Sequence, residues 1–208
     1  MLNNTKNIIF DLGGVLFHID YQLTIDSFKK LGITNFEMYY NQHQQNDFFD
    51  DFEKGKINSK TFVNTIQKSI PSCSDQEIID AWNAMLIGMP KVHLKLLEEL
   101  GKNYRLFLLS NANEIHIEFV NEYLQKNLNI PSIDQFFEKT YYSQKIGMRK
   151  PQKSTFEWVL KDAKILAQET LFIEDTSQHI EGAKQAGLKT HYLKSNSAII
   201  SLFPDITL

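Results

Sequence analysis

The first apolar run of the sequence is Ile8-Ile9-Phe10-Asp11-Leu12-Gly13-Gly14-Val15-Leu16. It is interrupted by a carboxylate, Asp11, and then by two glycines. This pattern predicts a buried parallel strand that ends at Asp11 and turns at the carboxyl edge of a sheet. Because ligands of open α/β sheets bind at that edge, we expect Asp11 to be half-buried and to face a crevice. Gly13 and Gly14 would let the backbone approach a ligand without a Cβ in the way.

Four later segments have the composition of buried strands and alternate with helical segments. They lie at residues 105–109, 140–143, 170–173 and 190–193. Such alternation favours right-handed βαβ units and a parallel sheet. Residues 21–88 differ, because their apolar spacing is helical throughout and we expect no strand there. The sequence therefore predicts an α/β fold, a doubly wound parallel sheet with an all-helical insert after its first strand.

Helix boundaries are indicated by capping residues and prolines. Ser74 and Glu77 have the spacing of a capping box, which predicts a helix start inside the insert. Pro90 and Pro151 are each expected at the first helical position of a core helix. The core helices are predicted over residues 90–101, 114–125, 151–163 and 177–186.

Composition excludes several classes of partner. The chain has 208 residues, of which 42% are hydrophobic and 23% charged, and its net charge of -3 does not favour nucleic acid or an acidic membrane surface. Cys73 is the only cysteine, so an internal disulfide is impossible and a reducing compartment fits. No apolar run approaches membrane-spanning length, and the polar N-terminus does not have the pattern of a signal peptide. We expect a cytoplasmic protein.

Polar residues recur directly after the predicted strands. They are Asp11, Ser110, Asn111, Glu174 and Asp175. The carboxyl ends of parallel strands share one edge of the sheet, so these side chains are expected to converge. Lys150, which precedes Pro151 at a predicted helix start, can reach the same edge.

Together these groups are suited to phosphoryl transfer. Asp11, Glu174 and Asp175 can hold a hard divalent cation, Mg²⁺, through their oxygens. Ser110, the backbone N–H of Asn111 and Lys150 can bind the remaining phosphoryl oxygens. Asp11 is then able to attack phosphorus and form an aspartyl-phosphate.

Four segments in this order resemble the haloacid dehalogenase (HAD) superfamily of aspartate-nucleophile hydrolases. They are Phe10-Asp11-Leu12-Gly13-Gly14-Val15, Leu108-Leu109-Ser110-Asn111, Gly147-Met148-Arg149-Lys150-Pro151 and Phe172-Ile173-Glu174-Asp175. The resemblance implies a Rossmann-like core over residues 1–16 and 90–208 and a helical C1-type cap over residues 17–89.

The resemblance also assigns roles to individual residues. It implies that Asp11 is the nucleophile, that Ser110 binds phosphate and that Lys150 stabilises charge. Asp175 is implied as a metal ligand, with Glu174 beside it in the inner or outer shell. The Gly13 backbone carbonyl is implied as a further ligand of Mg²⁺.

Three further stretches are most similar to bacterial sugar-phosphate phosphatases, especially the α-D-glucose-1-phosphate phosphatase type. They are Phe52-Glu53-Lys54-Gly55-Lys56-Ile57, Ser143-Gln144-Lys145-Ile146-Gly147-Met148-Arg149-Lys150-Pro151 and Ile180-Glu181-Gly182-Ala183. The resemblance implies a small phosphorylated substrate, a sugar phosphate.

Gly13 departs from the common phosphatase pattern, which has an acid–base aspartate there. Loss of such a group typically costs about 10²–10⁴-fold in rate. The hypothesis is that activity is retained and favours good leaving groups, such as an anomeric sugar oxygen. His18 and Asp20 are candidates for a replacement acid or base, and either is also explained as an ordinary linker residue. His179, where this branch commonly has an asparagine, fits either the outer shell of the metal or a hydrogen bond at a helix start.

Two other functions remain open from the sequence. In a 2-haloacid dehalogenase, Asp11 would attack carbon without a metal, and such enzymes also lack the second aspartate; the Glu174–Asp175 pair argues against this activity because it calls for a cation. A non-catalytic HAD-like protein that binds a phosphorylated ligand would keep the same residues without turnover.

Overall fold

The central sheet has five parallel strands in the order β5-β4-β1-β6-β7. In the computed structural model, which describes residues 3–38, 40, 47–194, 199–204 and 206, these strands are β1 (Asn7–Phe10), β4 (Arg105–Ser110), β5 (Lys139–Tyr142), β6 (Thr170–Glu174) and β7 (Lys189–Tyr192). The prediction of a parallel sheet built from these five segments is confirmed.

The apolar run of β1 lies at the centre of the sheet. Ile9 is in register with Phe107 of β4 on one side and Phe172 of β6 on the other. Ile8 and Phe10 pack into one hydrophobic layer, whereas Ile9 packs into the layer on the opposite face. A strand buried on both faces requires an unbroken apolar sequence, which explains why this run contains no polar residue before its end.

Five helices of the described chain belong to the core that contains this sheet. They are α5 (Lys91–Gly101), α6 (Glu114–Leu128), α7 (Ser143–Ile146), α8 (Lys153–Ala163) and α9 (Ser177–Gln185). Both proline predictions were wrong by one or two residues. Pro90 is the N-cap of α5 in an extended conformation, and Pro151 precedes α8 by two residues. None of the helices in the described ranges combines the length and the apolar character needed to cross a membrane.

The insert after β1 contains four helices with a core of their own. They are α1 (Tyr21–Leu31), α2 (Asp47–Glu53), α3 (Ser59–Gln67) and α4 (Asp75–Asn83). Aromatic rings of Phe28, Phe52, Phe62 and Trp82 are fully buried among them. The predicted capping box is present at the start of α4, where the side chains of Ser74 and Glu77 bond each other's backbone N–H groups.

Two short antiparallel strands join this cap to the core. They are β2 (His18–Ile19) and β3 (Leu86–Gly88). The expectation that residues 21–88 contain no strand was wrong for β3, because three residues are too few to show a strand periodicity. The two segments that connect cap and core therefore run side by side. The division at residues 17 and 89 stays a prediction.

Candidate active site

Polar side chains from several strand ends line one cavity of about 760 Å³, which includes open solvent. Of the residues predicted for the site, those that line it are Asp11, Gly13, Ser110, Asn111, Lys150, Asp175 and His179. Glu174 is fully buried and contacts Lys150 and His179. The structure thus brings together the residues that follow β1, β4 and β6, as parallel strands require.

Asp11 is held by two short contacts to the same oxygen. Its Oδ1 accepts a hydrogen bond of 2.7 Å from the backbone N–H of Leu12 and lies 2.8 Å from Nζ of Lys150. Burial raises the pKa of Asp11, the charge of Glu174 raises it further, and Lys150 opposes both.

The expectation that Asp11 is half-buried was wrong, since only 7% of the residue is exposed. The turn after β1 folds back on itself, with the N–H groups of Leu16 and Phe17 bonded to the Leu12 carbonyl at 2.9 and 2.8 Å. Lys150 lies against the Asp11 carboxylate, so little of that carboxylate is exposed to solvent.

Lys150 lies between two carboxylates and is completely buried. Its Nζ is 2.8 Å from Asp11 and 2.7 Å from Oε2 of Glu174. Burial lowers the pKa of Lys150, but Asp11 and Glu174 outweigh it, so the ammonium stays charged. Such a cation can bind phosphoryl oxygens that carry negative charge.

Asn111 fixes the backbone of Lys150 from both sides. The Asn111 Nδ2 donates to the Lys150 carbonyl at 3.0 Å, and Oδ1 accepts from the Lys150 N–H at 2.9 Å. Asn111 lies just past β4 and Lys150 lies between α7 and α8, so this reciprocal pair ties two distant segments. The sequence predicts only a backbone role for Asn111, because a pairing of this kind leaves no periodic signal.

Glu174 is hydrogen-bonded through both of its carboxylate oxygens. Its Oε1 accepts from the N–H groups of Asp175 and Thr176 at 3.0 and 3.1 Å, and Oε2 contacts Lys150 and Nδ1 of His179. Burial would raise the pKa of Glu174, but Lys150 and His179 together hold it below its usual value. Glu174 is therefore an anion that orients its neighbours.

Three carboxylates gather where a cation is expected. One oxygen each of Asp11, Glu174 and Asp175 lies within 4.8 Å of the others. Burial, followed by the neighbouring Glu174, raises the pKa of Asp175 to about 7. Hard oxygen donors at this spacing fit a divalent cation such as Mg²⁺.

Gly14 is required beside this cluster. It has a φ of +77°, and a Cβ built on it would overlap the carboxylate of Asp175. Only glycine lets the turn after β1 pass so close to a charged group.

Gly13 faces a different neighbour. A Cβ placed on it would lie 3.2 Å from Cδ1 of Ile19 in β2. The space beside residue 13 is therefore taken by an apolar side chain from the connection to the cap.

The candidate accessory residues separate into two groups. His18 is exposed with its ring 5.8 Å from that of His93, and Asp20 caps α1 by accepting from the N–H of Gln22 at 2.9 Å. Neither residue lines the cavity. His179 does line it and contacts Glu174 at 2.9 Å, and burial lowers the pKa of its ring.

The sequence predicts no role for several residues that line the cavity. They are Ile19, Tyr21, Tyr40, Glu53, His116 and Arg149. Glu53 and Arg149 lie inside stretches quoted for their resemblance to sugar-phosphate phosphatases, so a signal was present without a function attached. Tyr21 opens an amphipathic helix, and helical periodicity does not reveal which end of a helix faces a cavity.

Comparison with known proteins places this geometry in a family. The family model described as haloacid dehalogenase-like hydrolase matches residues 8–193. The chain is 28% identical over 190 residues to a D-ribitol-5-phosphate phosphatase of Bacteroides thetaiotaomicron, covering 89% of this chain and 90% of the relative.

Two solved structures share the whole fold. A HAD-family enzyme of Bacteroides thetaiotaomicron, in complex with magnesium and inorganic phosphate, is 35% identical with a TM-score of 0.88 and covers 96% of this chain and 98% of its own. A predicted HAD-like hydrolase from Porphyromonas gingivalis is 28% identical with a TM-score of 0.87, and 97% of each chain is covered. The resemblance drawn from the four sequence segments is confirmed. The chain belongs to the haloacid dehalogenase-like hydrolase family.

Proposed function

We propose that this protein is a Mg²⁺-dependent phosphatase that hydrolyses a small phosphorylated metabolite, a sugar phosphate, through an aspartyl-phosphate on Asp11. The observation that carries the proposal is the contact of Lys150 with both Asp11 and Glu174, beside Asp175, at the floor of one cavity. This arrangement supplies a nucleophile, a fixed cation and ligands for a divalent metal. The relative whose substrate is D-ribitol 5-phosphate and the neighbour that binds magnesium and phosphate support it.

The first step follows from the contacts of Asp11. Since its Oδ1 is engaged by Leu12 and Lys150, we assign the attack to Oδ2. The Oδ2–phosphorus bond forms as the bond from phosphorus to the leaving oxygen breaks, and the leaving oxygen takes a proton from water. Lys150 and the Ser110 hydroxyl bind phosphoryl oxygens during this transfer. Asp11, Asp175 and the Gly13 carbonyl would hold Mg²⁺, with Glu174 in its inner or outer shell, and the metal would offset the repulsion between a carboxylate and a phosphate dianion.

The second step returns the enzyme to its starting state. Water attacks phosphorus, the bond between phosphorus and Oδ2 breaks, and inorganic phosphate leaves. Asp11 is regenerated as a carboxylate beside Lys150.

His116 is not the missing acid or base, although it lines the cavity. Its Nδ1 meets Nδ2 of Asn113 at 3.1 Å, and its Nε2 meets the carbonyl of Trp82 at 3.2 Å. Burial lowers the pKa of His116 to about 4. A neutral ring with both nitrogens engaged has no proton to exchange with substrate, so the hypothesis of a preference for good leaving groups stands as part of the proposal.

Phosphate release from a panel of phosphorylated metabolites tests the function. With Mg²⁺ we expect turnover of sugar phosphates, including α-D-glucose 1-phosphate, and with EDTA we expect none. Halide release from a 2-haloacid without metal would instead establish a dehalogenase. Binding of the panel without turnover or a covalent adduct would establish a phospholigand-binding protein.

A further inference from the structure

We propose that the Tyr21 hydroxyl donates a hydrogen bond to the leaving-group oxygen of the substrate and stabilises the negative charge that develops there. The inference rests on the proposed phosphatase function. It names a catalytic residue for departure of the leaving group, in a chain that has Gly13 at the position of the common acid–base aspartate. Tyr21 is the first residue of α1, and it lines the cavity.

Phosphoryl transfer sets the direction in which the leaving oxygen points. The attacking and leaving oxygens lie roughly in line on opposite sides of phosphorus. Asp11 attacks from the carboxyl edge of the sheet, so the leaving oxygen points away from that edge. Residues of the helical insert, among them Tyr21 and Met85, line the same cavity as Asp11. A group that acts on the leaving oxygen is therefore expected in the insert.

Few side chains of the insert can donate a hydrogen bond into the cavity. From the start of α1 to β3, the described residues that line it are Tyr21, Tyr40, Glu53, Met85 and Leu86. Met85 and Leu86 have no polar hydrogen, and Glu53 is ion-paired with Arg149. Within this set of described residues, the two phenol hydroxyls are the candidate donors.

The charges around each hydroxyl distinguish Tyr21 from Tyr40. Burial raises the pKa of Tyr21, and four carboxylates raise it further. They are Glu53, Asp175, Asp11 and Glu174. Burial also raises the pKa of Tyr40, on which Tyr21, Glu53 and Arg149 act instead. The Tyr21 hydroxyl is therefore the one that lies close to the carboxylate cluster of the reaction centre.

The position of Tyr21 is fixed by the backbone and by packing of its ring. The N–H of Asp20 donates to the Met85 carbonyl at 2.9 Å, and the Asp20 carboxylate accepts from the Gln22 N–H at 2.9 Å. The Tyr21 ring lies 5.9 Å from that of Tyr40 and packs against the aromatic core of the insert. A donor held in this way needs no reorganisation when charge develops on the leaving oxygen.

The proton stays on Tyr21 throughout the reaction. Because the pKa of its hydroxyl is raised, the group is neutral and able to donate. The electron pair of the breaking bond between phosphorus and oxygen passes to the leaving oxygen, which then takes its proton from water. The hydrogen bond is worth most when that oxygen is strongly basic and acquires the most negative charge. The contribution of Tyr21 therefore grows with the basicity of the leaving group.

The experiment measures kcat/KM with Mg²⁺ for two pairs of substrates that differ in leaving-group basicity. Phenyl phosphate is compared with p-nitrophenyl phosphate, and glucose 6-phosphate with glucose 1-phosphate. In each pair the first substrate has the more basic leaving oxygen. We expect Tyr21→Phe to lower the ratio of kcat/KM for the first to that for the second by about tenfold or more. The rise of Tm with MgCl₂ should stay as in the wild type.

Tyr40→Phe is the matched control, because it removes the same hydroxyl from the neighbouring ring. We expect its ratios to stay within about twofold of the wild-type ratios. Equal losses on both members of each pair in Tyr21→Phe, or the same ratio change in Tyr40→Phe, would overturn the proposal. A reduced response of Tm to MgCl₂ in Tyr21→Phe would also overturn it, since the hydroxyl would then act on the metal site. Absence of phosphate release from every substrate by the wild-type protein would refute the phosphatase function itself.

Discussion

Residue 13 is a glycine in this chain, and the space that a side chain would take there is filled by another residue. The common phosphatase pattern has an aspartate there, and in this structure the direction of a Cβ is occupied by Ile19 at 3.2 Å. Ile19 belongs to β2, at the connection to the cap. Where the common pattern has an acid–base side chain, this structure has the apolar side chain of Ile19. This indicates a site that is shaped without the acid–base group.

Introducing the aspartate is expected to depend on Ile19. Gly13→Asp alone would press against Ile19, whereas Gly13→Asp with Ile19→Ala gives the carboxylate room. We predict that the double variant raises turnover of sugar 6-phosphates relative to sugar 1-phosphates, because poorer leaving groups gain most from a general acid. The measurement is the ratio of kcat/KM for glucose 6-phosphate to that for glucose 1-phosphate, with Ile19→Ala as control. An unchanged ratio would refute the leaving-group hypothesis.

The residues at strand ends could be predicted, whereas their partners could not. Ser110 ends an apolar strand, and Asp11 and Asp175 directly follow apolar strands; parallel topology brings these strand ends to one edge. The reciprocal bonds of Asn111 with Lys150 depend on two loops 39 positions apart, and no local pattern encodes such a meeting. The assigned roles of these residues stay predictions until variants are measured.

Among the elements, α4 begins with a cap that the sequence predicted correctly. The Glu77 carboxylate accepts from the Ser74 N–H at 2.8 Å, and Ser74 Oγ accepts from the Glu77 N–H at 3.3 Å. We predict that Ser74→Ala lowers the free energy of unfolding by about 1 kcal/mol, because N-cap hydroxyls contribute that much. Urea denaturation measures it, with Ser72→Ala at an exposed turn position as control. Equal midpoints for the two variants would contradict the role of the cap.

The contact between α4 and α6 contains a buried histidine that predicts a pH dependence. His116 stacks on Trp82 with ring centroids 4.8 Å apart, and burial lowers its pKa from an ordinary 6.5 to about 4. Between these values the unfolded chain binds the proton and the folded chain does not. The contribution of His116 to the free energy of unfolding is therefore fully present above pH 6.5. It is lost as the pH falls toward 4, on the order of 1.4 kcal/mol per pH unit.

Urea denaturation of the wild type and His116→Gln from pH 7 to pH 5 tests this linkage. The glutamine variant does not titrate, so its free energy of unfolding is expected to fall less steeply with decreasing pH. Other titrating groups contribute equally to both proteins. If the free energies of unfolding of the two proteins fall equally with decreasing pH, the His116 ring is protonated in the folded protein without cost.

Over the whole molecule, the fold was easier to predict than the cavity. Alternating apolar strands and helices predict the doubly wound core, because this alternation gives a parallel sheet whose faces are covered by helices. The cap side of the cavity is set by how four helices pack on the core, and this depends on tertiary contacts such as Trp82 with Asn113. The positions of Ile19 and Tyr21 at the cavity therefore emerged only from the structure.

The carboxylate cluster also predicts how metal affects global stability. Because Mg²⁺ would bind the folded site and not the unfolded chain, saturating MgCl₂ is expected to raise Tm. A free Mg²⁺ concentration a hundredfold above Kd would add about 2.7 kcal/mol to the free energy of unfolding. Asp175→Asn should abolish most of this gain. Asp162→Asn, at a surface ion pair with Lys139, should retain it. Differential scanning calorimetry with and without MgCl₂ measures both, and equal responses would exclude Asp175 as a ligand.

Chemical trapping tests whether Asp11 becomes phosphorylated during turnover. The protein with Mg²⁺ and a sugar phosphate that it hydrolyses is quenched within one turnover and treated with borohydride, which reduces an acyl phosphate to an alcohol. We predict that peptide mass spectrometry finds homoserine at position 11, and that Asp11→Asn yields no adduct and loses at least about 10⁴-fold in kcat. Full phosphate release with no modification of Asp11, or with the adduct on another residue, would contradict the mechanism.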